Sequence, residues 1–313
     1  MTLEPRVQWI VRVSKALDRS PEGGTMVQRR IDAAAQVRRL GWVVLSPGPA
    51  VPQEDLLVPV DGGRITVRLY RPATPGPHPL HVFLHGGGWC VGTLDERDPR
   101  CRTIAAGAEC VVASVDYRMA PEHHFPTAPE DSYAALCWLV EHAEALGLDA
   151  SRVSVSGESA GANLAAVVCL MARDRGGPAI RYQWLDVPAT DLTLSQPSFR
   201  EVPDGYLLDA DRIVEYRDHY LASVSQATDP YASPLLAPDL SGLPEAWIMS
   251  AQFDKLRDDG TSYARRLADA GVTVHHQILP GHAHPTFAFT RLVPSARTYE
   301  ASAIAALRAA LRD

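Results

Sequence analysis

The chain has 313 residues, of which 46% are hydrophobic and 21% are charged. This length allows two domains or one large α/β domain with an insertion, and the composition excludes a disordered, collagen-like or coiled-coil protein. The 30 basic and 37 acidic residues give a formal net charge of −7, which argues against strong binding to nucleic acid.

The charge and the apolar runs also bear on location and cofactors. No run of about 18 apolar residues occurs, so we expect no membrane span. Near the N-terminus, Arg6, Arg12 and Lys15 interrupt the apolar run, which argues against a secretory leader and predicts a cytoplasmic protein. The five cysteines lack Cys-x-x-Cys spacing, which argues against a structural zinc site and a disulfide framework.

The first 45 residues have the apolar periodicity of helices. Their eight basic and four acidic residues give this segment a local charge of +4. The pairs Arg29–Arg30 and Arg38–Arg39 frame the apolar stretch Ile31–Val37 at helical spacing. We interpret these arginines as a solvated helix face, with contact to an anionic surface as the alternative.

After the proline-rich spacer at residues 47–52, short β patterns begin to alternate with helical ones. The predicted strands are Asp55–Val60, Arg64–Tyr70, Leu80–Leu84, Cys110–Val115, Val153–Ser156, Tyr182–Val187, Ala246–Ser250 and Thr273–Leu279. The predicted helices are Arg100–Ala108, Ala128–Ala145, Ala160–Ala172, Gly260–Ala270 and Ser295–Leu311. This alternation predicts an α/β fold with a mostly parallel, doubly wound sheet flanked by helices.

Residues 191–225 break the alternation and contain a helical pattern over Ala210–Leu221. We predict that this insertion pairs with residues 1–45 as a helical cap. The cap would cover an α/β domain made of residues 46–190 and 226–313.

The segment Gly157-Glu158-Ser159-Ala160-Gly161 follows a predicted strand and opens a predicted helix. A tight strand-to-helix turn needs very small residues two positions before and after the serine, and it lifts the Ser159 hydroxyl clear of the sheet. The N–H of Ala160, at the helix N-terminus, can then stabilise an oxyanion. The alternative is a glycine-rich helix start with a capping serine.

A second glycine-rich segment, His85-Gly86-Gly87-Gly88-Trp89, ends another predicted strand. Glycines let backbone N–H groups approach a substrate oxygen, and the spacing matches neither a Walker loop nor a dinucleotide fingerprint. Beside the serine turn, this segment predicts an oxyanion hole built from Ala160 and two of the glycines Gly86, Gly87 and Gly88. The sequence does not choose which two.

Five segments, in this order along the chain, together resemble the hormone-sensitive-lipase-like family of esterases: His85–Trp89, Asp116–His123, Gly157–Gly161, Asp229–Leu235 and Asp254–Gly260. The resemblance runs from about residue 55 to the C-terminus. It implies an α/β-hydrolase fold with a helical cap and a Ser–Asp–His triad. It also implies hydrolysis of short- to medium-chain carboxylic esters, and a possible homodimer through the last strand and the C-terminal helix.

The resemblance assigns the nucleophile to Ser159 and the acid to Asp254, which directly follows a predicted strand. Asp258 and Asp259 are alternatives for the acid, but we interpret them as charges at a helix N-terminus. Glu158 stands where the family more often has aspartate, and we expect it to make supporting hydrogen bonds.

The same resemblance places the catalytic histidine three residues after Gly281, which predicts His284 as the base. His282 is the alternative, and a metal-binding pair of the two histidines is a further one. Pro285-Thr286 replaces the Gly-Phe that usually follows this histidine in the family. The order Ser159, Asp254, His284 matches the hydrolase template, and the chemistry needs no metal or organic cofactor.

The substrate is predicted to be a small-molecule ester. Five side chains are candidates for the pocket wall, each with ordinary core as the alternative: Trp89, Tyr206, Leu207, Leu208 and Phe287. An amidase, deacetylase or lactone hydrolase with the same triad is the alternative reaction. A non-catalytic ligand-binding protein on this fold is the alternative from another class.

Overall fold

A computed structural model describes residues 2–17 and 24–312 of the chain. Its strands are β1 (Gln53–Val60), β2 (Gly63–Tyr70), β3 (His78–Leu84), β4 (Val111–Asp116), β5 (Leu148–Glu158), β6 (Tyr182–Asp186), β7 (Glu245–Phe253) and β8 (Val274–Ala283). They form one sheet in the order β1-β2-β4-β3-β5-β6-β7-β8. The strand β2 is antiparallel to β1 and β4, and the strands β3 to β8 are parallel to one another. The mostly parallel sheet predicted from the alternation is confirmed.

The helices lie close to their predicted places. They are α1 (Pro5–Leu17), α2 (Met26–Val44), α3 (Leu94–Ala108), α4 (Thr127–Glu141), α5 (Ala160–Asp174), α6 (Ser198–Glu201), α7 (Ala210–Tyr220), α8 (Arg257–Asp269) and α9 (Pro294–Ala310). Short 3₁₀ turns cover Val224–Thr228, Pro234–Leu236 and Thr286–Ala288.

The largest boundary error concerns α3, which begins at Leu94 and not at the predicted Arg100. The Thr93 hydroxyl accepts a hydrogen bond from the Glu96 amide and caps the helix earlier than predicted. Pro99 lies inside the helix, one residue before the predicted start.

Two apolar cores lie on the two faces of the sheet. Side chains of α4, α5 and α8 build one core, and side chains of α3 and α9 build the other. Every residue from Ala160 to Ala172 is buried, so α5 is surrounded by protein on all sides. The helix that follows the serine turn is therefore enclosed over almost its whole length.

The N-terminal helices contact the insertion. Val7, Ile10 and Val11 of α1 are buried in a small third core, to which the half-buried Tyr206 and Leu207 of the insertion are packed. Within the described residues, no helix is long and apolar enough to span a membrane. Residues 18–23, which belong to the predicted cap segment 1–45, lie outside the described part of the chain.

The prediction of a solvated helix face is wrong for Arg29 and Arg30, whereas Arg38 and Arg39 are exposed, as predicted. Arg29 forms an ion pair with Glu215 of α7 at 2.5 Å, and Arg30 forms one with Glu122 at 3.0 Å. Their side chains are only 29% and 22% exposed, because α7 and the loop after β4 cover that side of α2.

Candidate active site

Backbone packing forces the geometry of the serine turn between β5 and α5. Ser159 has φ +55° and ψ −118°, a strained combination for a residue with a side chain. A Cβ on Gly157 would lie 2.2 Å from the carbonyl carbon of Gly161, and a Cβ on Gly161 would lie 2.0 Å from the carbonyl oxygen of Leu84. Both positions therefore require glycine, for the steric reason that the sequence motif suggested.

The turn brings Ser159 to a histidine and an aspartate. The Ser159 Oγ lies 2.9 Å from Nε2 of His284, and Nδ1 of His284 lies 2.7 Å from Oδ2 of Asp254. The three residues follow β5, β7 and β8, so they meet at the carboxyl edge of the parallel strands. The Asp254 side chain is fully buried, and its Oδ1 accepts a hydrogen bond from the Leu256 amide at 2.9 Å.

This chain of hydrogen bonds determines which nitrogen of the imidazole is free to act. The Asp254 carboxylate can only accept, so Nδ1 of His284 carries the hydrogen that it donates. The lone pair of Nε2 then faces the Ser159 hydroxyl. This is the tautomer that a general base for serine requires.

The alternative acids lie elsewhere. Asp259 accepts hydrogen bonds from the backbone amides of Thr190 and Asp191, both at 2.9 Å. Asp258 accepts from the Ser198 amide and pairs with the neighbouring Arg257. Neither carboxylate contacts His284. Asp259 instead holds the loop after β6, and Asp258 holds the start of α6.

The alternative histidine, His282, is turned away from Ser159. Its Nδ1 lies 3.0 Å from the Thr286 hydroxyl and its Nε2 lies 2.9 Å from the Ser295 hydroxyl, while burial lowers its pKa. The Thr286 hydroxyl also lies 3.1 Å from the Ala283 amide, which donates to it. Thr286, which departs from the family pattern, therefore braces the loop on both sides of His284.

The glycine-rich loop after β3 lies beside the serine turn. A Cβ on Gly86 would lie 2.7 Å from the carbonyl oxygen of Glu158, and a Cβ on Gly88 would lie 2.3 Å from the ring of Tyr216. Gly87 and Gly88 have φ of +128° and +58°, values that favour glycine. In the described part of the chain, the amides of Gly86, Gly87, Gly88 and Ala160 donate no hydrogen bond to another protein group. These N–H groups are available to a substrate oxygen.

The candidate pocket residues fall into two groups. Tyr206 and Leu207 pack against the small core that contains Ala283, the neighbour of His284, and Leu208 is half-buried against the main core. Trp89 is buried, with its ring stacked on that of Tyr220 at 4.4 Å. Phe287 is also buried and packs in the core on the α3–α9 face.

Burial of Trp89 and Phe287 is compatible with the alternative of ordinary core and also with a pocket wall, so their lining role stays a prediction. A lining role for Tyr206, Leu207 and Leu208 stays a prediction.

Sequence reasoning missed a buried ionic cluster beneath the serine turn. Glu158 forms ion pairs with Arg97 and Arg100, and Arg100 also pairs with Asp186. Burial opposes ionisation of Glu158, but the charges of Arg97 and Arg100 outweigh it and lower the pKa of that carboxyl. The expectation that Glu158 makes supporting contacts fits this position.

Asp186 lies near the end of the predicted strand Tyr182–Val187, and its carbonyl oxygen accepts a hydrogen bond from the Ser159 amide at 2.8 Å. No pattern in the sequence pairs Asp186 with Arg100. The two residues are far apart in the chain, and they come together only because α3 packs on the sheet.

Further observations bear on the protonation of His85, on metal binding and on the cysteines. His85 stacks on Tyr117 at 4.4 Å, and burial lowers the pKa of its imidazole to about 4, so it is neutral at physiological pH. Among residues 2–17 and 24–312, no group of three or more His, Cys, Asp or Glu side chains could hold a metal ion. The five cysteines are free thiols.

The sheet order, the strained serine turn and the Ser–His–Asp hydrogen bonds define an α/β-hydrolase. A family model described as the alpha/beta hydrolase fold matches residues 81–288. The chain therefore belongs to this family, and its resemblance to the hormone-sensitive-lipase-like esterases is confirmed.

Relatives and solved structures with similar chains carry esterase names. The carboxylic ester hydrolase LipN of Mycobacterium tuberculosis is 40% identical, over 99% of this chain and 84% of its own. The carboxylesterase NlhH of the same species is 42% identical, over 89% of each chain. A hyperthermophilic esterase from Pyrobaculum calidifontis superimposes with a TM-score of 0.93 at 35% identity, over 99% of both chains.

Proposed function

We propose that this protein is a serine carboxylesterase that hydrolyses short- to medium-chain carboxylic esters through an acyl-enzyme on Ser159. The observation that carries the proposal is the hydrogen-bond chain from Ser159 through His284 to Asp254. The esterase names of LipN and NlhH, at 40% and 42% identity, support the same class of reaction.

In the first half of the reaction, Nε2 of His284 takes the Ser159 proton while Oγ attacks the ester carbonyl carbon. Asp254 keeps the imidazole in the required tautomer and stabilises the imidazolium that forms. His284 then gives the proton to the departing alcohol. In the second half, His284 takes a proton from water while the water oxygen attacks the acyl-enzyme carbonyl. His284 then returns the proton to Ser159, and the acid is released.

The negative charge on the carbonyl oxygen needs hydrogen-bond donors that are already in place. We assign these to the amides of Ala160, Gly86 and Gly87. Gly86 lies against Glu158, the residue before the nucleophile, whereas Gly88 lies against Tyr216 of the cap. Donors oriented in advance cost no reorganisation during the reaction, which is why they lower the barrier.

The cap is assigned to residues 1–45 and 191–225, and the catalytic domain to residues 46–190 and 226–313. Tyr206 and Leu207 support this division, because they pack with α1 beside the base-bearing loop. We propose that these two side chains, with Leu208, line the substrate pocket and limit the length of the acyl chain.

The test is hydrolysis of p-nitrophenyl esters from acetate to palmitate by the wild type and by Ser159→Ala. We expect turnover that peaks at short chains and a loss of nearly all of it in Ser159→Ala. Because only neutral imidazole accepts a proton, kcat/KM should fall as the pH is lowered.

Ser156→Ala is the matched control. This serine lies on β5, three residues before Ser159 and 2.7 Å from Nε2 of the buried His81, so it also forms a Ser–His pair. Its variant should keep activity if it remains folded by circular dichroism. Activity retained in Ser159→Ala would place the nucleophile elsewhere. No turnover by the folded wild type on any chain length would favour a ligand-binding protein.

The amidase, deacetylase and lactone hydrolase alternatives share this triad. Rates on p-nitrophenyl acetate and p-nitroacetanilide, whose acyl groups are identical, separate an esterase from an amidase. Faster turnover of the anilide would move the assignment to amide hydrolysis.

We also propose a homodimer formed through β8 and α9. The strand β8 lies at the edge of the described sheet and presents the exposed Ile278. Light scattering that gives the mass of one chain would contradict it. The cytoplasmic location and the lack of nucleic-acid or membrane partners stay predictions from the sequence.

A further inference from the structure

The cap helix α2 makes direct hydrogen bonds to the backbone that carries the oxyanion glycines. Nε of Arg30 donates to the carbonyl oxygen of Cys90 at 2.8 Å, and Nη2 donates to the carbonyl oxygen of Ala120 at 2.9 Å. The same guanidinium pairs with the Glu122 carboxylate through two contacts, at 3.0 and 3.1 Å. One side chain therefore spans the end of the glycine loop and the loop after β4.

The carbonyl of Cys90 matters because Cys90 closes the turn that contains the glycines. The amides of Cys90 and Val91 donate to the carbonyl oxygen of Gly87 at 3.1 and 3.0 Å. The amide of Ala120 donates to the carbonyl oxygen of Trp89 at 2.9 Å. Arg30 therefore bonds to both segments whose mutual hydrogen bond holds the turn.

The turn needs such support because its backbone is strained. Gly87, Gly88 and Trp89 have positive φ in succession, and Trp89, at +58°, has a bulky side chain in that region. Strained backbone persists only when surrounding contacts hold it. Arg30 supplies one of those contacts from outside the catalytic domain.

We propose that Arg30 is a positioning residue for the oxyanion hole, so that the N-terminal cap contributes to stabilisation of the transition state. The proposal rests on the proposed function, because it assumes that the loop amides bind the oxyanion. Arg30 itself does not contact Ser159, His284 or Asp254, and it acts through the carbonyls of Cys90 and Ala120.

The neighbouring Arg29 provides an internal comparison. It lies on the same helix and pairs with Glu215 of α7 at 2.5 Å, so it joins two parts of the cap. Arg29→Met therefore weakens the attachment of α2 without removing a bond to the glycine loop. A general loosening of the cap affects both arginine variants, and mispositioning of the loop affects only Arg30.

The variant Arg30→Lys separates the effect of the positive charge from the effect of the two hydrogen bonds to carbonyl oxygens. In Arg30→Lys the positive charge facing Glu122 remains. A single ammonium cannot occupy both the Nε and Nη2 positions, so the two carbonyl bonds are not both restored. Arg30→Lys is also the variant expected to remain folded if Arg30→Met does not.

The experiment measures kcat/KM on p-nitrophenyl butyrate and inhibition by two ketones with the same carbon chain. A trifluoromethyl ketone adds to Ser159 and places an oxyanion in the hole, whereas the plain methyl ketone binds without forming that oxyanion. We expect Arg30→Met to lower kcat/KM and to raise Ki for the trifluoromethyl ketone by a similar factor of about 10–100. The methyl ketone should bind within about twofold of the wild type, and Arg30→Lys should recover only part of the loss.

Three results would overturn the inference. They are an unchanged Ki for the trifluoromethyl ketone in Arg30→Met and Arg30→Lys, an equal loss of affinity for both ketones, and an equal effect in Arg29→Met. The failure of the proposed function gives a different result, since a wild type without Ser159-dependent turnover would not respond to the trifluoromethyl ketone. Circular dichroism and thermal unfolding of each variant identify loss of fold.

Discussion

The floor of the candidate site and the proposed cap are held in place by different kinds of contact. At the floor, backbone atoms touch so closely that Gly157 and Gly161 have no room for a Cβ. At the cap, Arg29, Arg30 and Lys255 connect helices and loops through a few polar contacts. Close-packed backbone allows no small adjustment, whereas a polar contact can weaken by degrees. We therefore expect changes at the floor to abolish the fold or the reaction, and changes at the cap to modulate them.

The largest effect is expected for Gly161→Ala. The new methyl group would lie 2.0 Å from the carbonyl oxygen of Leu84 and 2.5 Å from that of His85, so β3 and α5 would have to separate. We expect little soluble folded protein, measured as purified yield and by thermal unfolding. Gly63→Ala is the control, because no atom lies within 4 Å of its added Cβ. A stable, active Gly161→Ala enzyme would contradict the view of a rigid floor.

A smaller but still large effect is expected for Arg100→Met. This change leaves the buried carboxylates of Glu158 and Asp186 facing each other without their shared cation. Loss of one partner from a buried ion pair costs about 3–5 kcal/mol in the free energy of unfolding. Urea denaturation measures this loss in the free energy of unfolding.

Arg102→Met on the same helix removes the more exposed pair with Asp98 and should cost at most about 1 kcal/mol. Equal costs for the two arginine variants would show that the buried cluster does not stabilise the floor.

The contribution of Glu158 to the stability of the fold depends on pH. The pKa of Glu158 is lowered in the folded protein, because Arg97 and Arg100 outweigh the effect of burial. Its ionised form therefore stabilises the fold above the usual glutamate pKa of 4.5, and this contribution is lost as the pH falls through the lower, folded-state value. Glu158→Gln should cost about 1–3 kcal/mol at pH 7, with the difference from the wild type shrinking below about pH 4.5. Urea denaturation at several pH values measures that difference, and a constant difference would contradict the sign.

The smallest effect is expected at the cap, for Lys255→Met. The buried Lys255 ammonium donates to the carbonyl oxygens of Phe199 and Val202, at 3.2 and 2.7 Å, and pairs with Asp204 at 3.1 Å. These bonds hold the start of the insertion against the residue next to Asp254. We expect a loss of about 1–2 kcal/mol in the free energy of unfolding and faster amide exchange over residues 199–204.

Asp204→Asn is the control for Lys255→Met, because the Asp204 carboxylate is 60% exposed and its pair with Lys255 contributes little. Unchanged exchange over residues 199–204 in Lys255→Met would show that other contacts hold the insertion.

Several boundaries could be predicted because their causes are local. The hairpin between β1 and β2, the strand before Ser159 and the burial of α5 all follow from residues that are adjacent in the chain. The start of α3 was predicted too late, because the Thr93 cap was overlooked. The solvated face assigned to Arg29 and Arg30 was wrong for a different reason, since their partners lie on other elements.

The sequence by itself determined the alternating sheet, the glycine-flanked turn at Ser159 and the chain order in which Asp254 and His284 follow it. These features depend on steric limits of contiguous residues and on strand ends that share one edge of a parallel sheet. Only the tertiary structure decided the partners of Arg30, Arg100 and Lys255. Each of these cations binds groups more than 50 positions away in the chain, and nothing local in the sequence encodes such a pairing. Packing of α3 against the sheet, and of α2 and the insertion against loops that follow strands, brings these charges to their partners.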